Sequence, residues 1–132
     1  MRIIQPQGWK RPRGYSNGIA AQGECVFVAG QIGWNDREEI VSDDFAEQAA
    51  QALRNVVAVL HAAGAKSEHI VRMTWYVTDK HEYLSAGKRI GEAYKSLIGN
   101  HYPAMTLVQV ADLLEEGAKV EIEVSAIVPR AT

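Results

Sequence analysis

The stretch from Pro103 to Pro129, PAMTLVQVADLLEEGAKVEIEVSAIVP, restricts most tightly what this chain can fold into. Thr106 to Val110 and Lys119 to Val128 read as strands whose side chains point alternately to the two faces. In the second run Val120, Ile122, Val124, Ala126 and Val128 point one way, and Lys119, Glu121, Glu123, Ser125 and Ile127 the other. Such a strand belongs inside a sheet, with one face against a core and one carrying selected polar groups. Glu121 and Glu123 on that second face are either solvated or the wall of a site.

The remaining elements follow from local signals. Gly18 to Gln22 and Glu24 to Ile32 read as a hairpin turning near Gly23. Cys25, Val26, Phe27 and Val28 are consecutive, which predicts a strand buried on both faces. That strand ends in Ala29-Gly30-Gln31-Ile32-Gly33, where glycines admit a bulge or a close approach to the backbone. Asp44 with Glu47 reads as a capping box. The helix it opens carries Phe45, Ala49, Leu53, Val56 and Leu60 on one stripe and ends at Gly64. Ile70 to Thr78 is a further strand, with Val71, Met73, Trp75 and Val77 on its apolar face. Asp79 with Glu82 caps a second helix, which turns Leu84, Ile90, Tyr94 and Leu97 inward and stops at Gly99. The order is β-β-α-β-α-β-β, an α+β fold in a single domain spanning 1–132, with two helices on one face of a sheet of about five strands.

Several classes are disfavoured. A formal net charge of −2 makes no electrostatic case for nucleic acid or an anionic membrane. Lys10, Arg11 and Arg13 form a short basic cluster without interleaved aromatics, read as a solvated arm. The one cysteine, Cys25, cannot form an internal disulfide and suits a reducing compartment. No apolar run has signal-peptide or membrane-spanning length, so a cytoplasmic location is expected. His61, His69, His81 and His101 show no metal-ligand spacing.

No further element is available to cover the sheet's second face, which offers Arg72, Thr74, Tyr76, Glu121, Glu123, Ser125 and Ile127. A half-apolar bare face is an association surface. Self-assembly with closed symmetry would cover it and would create pockets between copies.

Tyr15-Ser16, VFVAGQIGW from Val26 to Trp34, AEQAAQALRNVVAVL, TWYVTD, YPAMTLVQV and VEIEVSAIVP, in this order, resemble the YjgF/RidA family over nearly the whole chain. The resemblance implies a fold similar to chorismate mutase, a homotrimer, and a ligand cleft between subunits. It implies cofactor-free hydrolysis of reactive imines and enamines derived from amino acids, with a small molecule as the partner. Carried over residue by residue, the family's cleft tyrosine falls on Tyr15, its ligand-contacting glycine on Gly30 and its water-positioning glutamate on Glu121. Its arginine, which grips the substrate carboxylate, falls on Met105, and its asparagine on Gly91.

Methionine cannot form the bidentate guanidinium–carboxylate pair. Losing one charge-assisted pair removes about 1.5–3 kcal/mol, a ten- to hundredfold loss in binding. The expectation is therefore a divergent member with little activity on 2-imino acids, in which Arg13, Arg72 or Arg89 stands in for the cation or the substrate is less anionic. Catalysis is assigned to Glu121 and substrate binding to Tyr15, Gly30, Gln31, Gly91, Met105 and Leu107. Met105 and Leu107 are expected beside Glu121, partly desolvating it. The alternatives are a ligand-binding trimer without chemistry and an endoribonuclease, an activity attached to some family names.

Overall fold

The computed structural model describes residues 1–130. Its core is a four-stranded sheet built from β3 (Glu24–Ile32), β6 (Val120–Val128), β4 (Ile70–Val77) and β5 (Ala104–Gln109), in that spatial order. β6 runs antiparallel to both β3 and β4, while β4 and β5 are parallel. The alternation of β6 explains its place. Val120, Ile122, Val124 and Ala126 are buried, and Glu121, Glu123, Ser125 and Ile127 are half-exposed on the other side.

Helix α1 (Phe45–Ala62) lies on the apolar face. Asp44 caps it, its carboxylate accepting the Glu47 N–H at 2.9 Å. The stripe Phe45, Ala49, Leu53, Val56 and Leu60 is buried against the sheet. Full burial of the Phe, Leu and Val side chains among them contributes about 1.5–3 kcal/mol each. Two polar side chains of α1 also face inward. Gln48, fully buried, donates to the Ser42 and Gly117 carbonyls and accepts the Lys119 N–H. Asn55 donates to the Ile32 and Trp34 carbonyls. Together they tie the end of β3 and the start of β6 to one helix. Gly33 permits that approach, since a Cβ there would lie 2.6 Å from Gln48 Cα.

Several local expectations need correction. Gly18–Ala20 (β2) does not pair with β3. It pairs antiparallel with β1 (Arg2–Ile4), in a stretch to which no strand was assigned, and forms a separate two-stranded ribbon. Three-residue β2 is too short to extend the main sheet, and β3 pairs with β6 instead. The second helix is broken into α2 (Lys80–Ser85) and α3 (Gly87–Leu97) at Ala86, where Ser85 and Gly87 are weak helix formers. The break turns Leu84 outward, to 66 % exposure. Asp79 does cap α2, accepting the His81 N–H at 2.8 Å. A bulge between Ile70 and Arg72 puts Ile70, rather than Val71, in the core. Cys25 is exposed and Phe27 is 76 % exposed. Only Val26 and Val28 of that apolar run turn toward α1, because nothing in one chain covers the opposite face.

Candidate functional site

The sheet register divides the candidate residues between two places. Tyr76 sits opposite Glu121 on one side and Val108 on the other, whereas Trp75 pairs with Ile122 and Leu107. Adjacent residues of a strand face opposite ways. Glu121 therefore lies on the open face, and Met105 and Leu107 lie on the helix-covered face, packed against the core. Within one chain they do not meet, and Met105 does not desolvate Glu121.

The first place is the Glu121 end of β6 and the edge strand β3. Between Val28 and Gln31 the β3 register shifts, a bulge that leaves Ala29 and Gly30 without regular partners. Bulges bend a strand and re-aim its groups. The Glu121 carboxylate lies directly over Gly30: a Cβ on Gly30 would overlap Oε2 and lie 2.7 Å from Cδ. The missing side chain is the space the carboxylate occupies. Gln31 folds back, its Nε2 donating to the Ala29 carbonyl at 3.0 Å. Farther along the open face Tyr76 donates to Glu123 Oε1 at 2.6 Å. That hydrogen bond, with burial second, raises the tyrosine pKa. Glu123 thus has an intramolecular partner.

The second place is at the other edge of the sheet. Ser16 bridges to Ala104, its N–H donating to the Pro103 carbonyl at 3.0 Å and its hydroxyl to the Tyr102 carbonyl. This clips the Gly14-Tyr15 segment beside the start of β5. Gly14, Tyr102, Met105 and Gly91 then line one cavity of about 290 Å³, with Trp75, Tyr83 and Tyr94 among its other walls. Tyr102 stacks on Tyr94 at a centroid distance of 5.5 Å and an interplanar angle of 9°. Tyr94 donates to the His101 carbonyl, and burial raises its pKa, with Tyr102 adding a smaller push. A wider groove of about 620 Å³ between α1 and α3 is lined by Glu47, Arg54, Arg89 and Glu92; of the candidates it contains only Arg89.

Arg89, one of the candidate cations, is paired with Asp44 within the chain. Its two terminal nitrogens donate to the two Asp44 oxygens at 3.0 and 2.7 Å. That pair, and next the Glu47 N–H, lowers the Asp44 pKa. His101 Nε2 lies 2.6 Å from the Ile70 carbonyl, and His69 Nδ1 accepts the Lys66 N–H, so both are tied to backbone. The aromatic walls Trp75, Tyr83 and Tyr94, and Gly87 beside them, were not anticipated as site residues. The only signal in the sequence was the four-residue spacing of Gly87 and Gly91 within a helical stretch.

A family model described as Endoribonuclease L-PSP matches residues 9–128. The chain is 34 % identical over 114 residues to human 2-iminobutanoate/2-iminopropanoate deaminase, covering 86 % of this chain and 79 % of that one. Its fold matches the crystal structure of the Yersinia pestis Rid family protein YyfB, itself described as of unknown function. The TM-score is 0.85 at 28 % identity, covering 96 % and 98 % of the two chains. It also matches Escherichia coli TdcF with bound serine at a TM-score of 0.68 and 36 % identity, covering 97 % and 99 %. The described residues contain no helix long and apolar enough to cross a membrane. By motif order, family match and fold together, this chain belongs to the YjgF/RidA, or endoribonuclease L-PSP, family.

Proposed function

We propose that the protein is a deaminase-type hydrolase of a reactive imine, enamine or related electrophile, acting in a cleft completed by a second copy of the chain. The observation that carries the reading is the Glu121 carboxylate lying over the Cβ-less Gly30. It joins, in one chain, the two residues to which the family resemblance assigns water positioning and backbone contact. Glu121 accepts a proton from water as the water attacks the C=N carbon and passes it to the nitrogen, giving a carbinolamine; it then takes the carbinolamine hydroxyl proton and delivers it to the same nitrogen as the C–N bond breaks, so that a carbonyl forms and ammonia leaves. Backbone N–H groups at Gly30 and Gln31 stabilise the charge that develops.

The other half of the cleft is Tyr15, Gly91, Met105 and the ring of Tyr102. The two halves lie toward opposite edges of the sheet, β3 and β5. A head-to-tail contact of one copy's β3 edge with the next copy's β5 edge makes each site from two chains and closes as a ring. A homotrimer satisfies this. Met105 in place of a cation disfavours 2-imino acids and favours a substrate without a carboxylate.

The test is a panel of freshly generated 2-imino acids, neutral imines and RNA, applied to the parent, Glu121→Gln and Met105→Arg. Neutral imines should turn over in the parent, with a loss of about 10²- to 10⁴-fold in Glu121→Gln. Met105→Arg should gain imino-acid turnover by about ten- to a hundredfold. No turnover of any imine by the parent would falsify the hydrolase reading and leave a binding protein, and RNA cleavage retained through further purification would replace it with a nuclease.

A further inference from the structure

Little of the sheet's own ladder holds Gly30 beneath the Glu121 carboxylate. Beyond the bulge in β3, the regular pairs with β6 are Gln31 with Ile122 and Ile32 with Glu121. β3 is an edge strand, so no strand of the sheet supports its other side. The run Ala29-Gly30-Gln31-Ile32-Gly33 is glycine-rich, and register is weakly specified in such strands. A slip there would carry Gly30 away from the carboxylate that lies over it. The end of β3 therefore needs a hold from outside the ladder.

Asn55, half-buried on α1, supplies it. Its Nδ2 donates to the Ile32 carbonyl at 3.0 Å and to the Trp34 carbonyl at 2.9 Å. Ile32 is the residue paired with Glu121. Gln51, one turn earlier on α1, donates through Nε2 to Asn55 Oδ1 at 2.9 Å, and Arg54 donates to Gln51 Oε1 at 3.3 Å. Carbonyls only accept, so the two N–H groups of Asn55 must face the strand while its oxygen faces Gln51. Gly33 lies between the two held carbonyls, and its missing side chain lets helix and strand close up: a Cβ there would lie 2.6 Å from Gln48 Cα. Asparagine is a weak helix former. Nothing local to α1 calls for it at position 55, whereas the end of β3 does.

We propose that Asn55, oriented by Gln51, sets the geometry of the Gly30–Glu121 pair by fixing the strand just past the bulge, and is thereby a positioning residue for the hydrolysis. The geometric half of this stands on the hydrogen bonds alone; the catalytic half rests on the reading of Glu121 as the acid–base group. Asn55 touches no reacting atom. It acts through the backbone that carries Gly30 and Gln31.

The experiment compares the full-length parent with Asn55→Asp, Asn55→Ala and Leu60→Ala. Asn55→Asp keeps the shape but sets a carboxylate against two carbonyls, and Asn55→Ala removes the donors without that repulsion. Leu60→Ala is a stability control, since Leu60 is fully buried in the last turn of α1, away from the strand end. In NMR spectra the Gly30 and Gln31 amides should shift in both Asn55 variants and exchange with solvent about tenfold faster, while those of Cys25 and Val26, before the bulge, stay in place. On the imine that the parent turns over best, kcat should fall about 10- to 100-fold and KM should stay within about twofold. Leu60→Ala should lower the thermal midpoint and leave the Gly30 and Gln31 amides and kcat unchanged. Unmoved amides in the Asn55 variants, or amides moved equally by Leu60→Ala, overturn the proposal. A parent that hydrolyses no imine, with amides that move as expected, removes the hydrolase reading and keeps Asn55 as the residue that sets the pair. Imine turnover that survives intact in Asn55→Asp and Asn55→Ala keeps the hydrolase reading and overturns the positioning role.

Discussion

Glu121 can lie where it does only because residue 30 carries no side chain. Alanine at that position would place its Cβ on the carboxylate. The obstacle is the far end of a flexible side chain rather than backbone, so the fold tolerates the change while the carboxylate has to leave. Gly30→Ala should therefore keep the parent's melting midpoint within a few degrees and reduce imine turnover by about 10²-fold, close to the effect of losing the acid–base group itself. Kinetics beside a thermal scan checks this, and an unaltered rate would mean that the resting position of Glu121 is irrelevant to the chemistry. The glycine pair of AGQIG was legible as a place of close approach. That the approaching group is Glu121 was not, because the two residues are 91 positions apart and meet only through strand pairing. Cys25 shows the opposite failure. Four apolar residues in a row implied burial on both faces, yet hydropathy cannot tell a core neighbour from a neighbour supplied by another chain.

Among the elements, α1 carries the most information. Its caps and apolar stripe could be read directly, because each is a local, periodic signal: Asp44 caps, the stripe is buried, and Gly64 follows the helix at φ 74°. Its two inward polar residues could not be read, because their partners are remote. Gln48 joins Ser42 to Gly117 and Lys119, and Asn55 holds the carbonyls of Ile32 and Trp34. A polar residue in a helix otherwise predicts solvent exposure. Replacing Gln48 with leucine keeps the volume but leaves two carbonyls and one N–H without partners. At about 1–3 kcal/mol for a buried group left unpaired, partly relieved by water, the loss should be about 2–4 kcal/mol. Urea titration should show the midpoint falling with little change in slope. A Gln48→Leu protein as stable as the parent would show that the loop before β6 is held by other contacts. The β1–β2 ribbon and the break at Ala86 were missed for a related reason. Three-residue strands and a one-residue interruption fall below the length over which periodicity can be recognised.

At the scale of the whole molecule, one chain leaves unfinished business on both sides of its sheet. The face opposite α1 presents Cys25, Phe27, Ile127 and Val108 around the Tyr76–Glu123 pair, and both sheet edges are unpaired by any further strand of the main sheet. Exposed edges and an apolar face together favour association. Phe27, at 76 % exposure, is the most exposed large apolar side chain of that face, and an acidic residue there would have to be desolvated without a partner. Light scattering should give the parent a mass of three chains, and Phe27→Asp should shift it to one. Because the Gly30–Glu121 half and the Met105–Gly91 half lie toward opposite edges, imine turnover should fall together with the mass. A parent that runs as one chain while retaining full turnover would mean that the two halves function without each other.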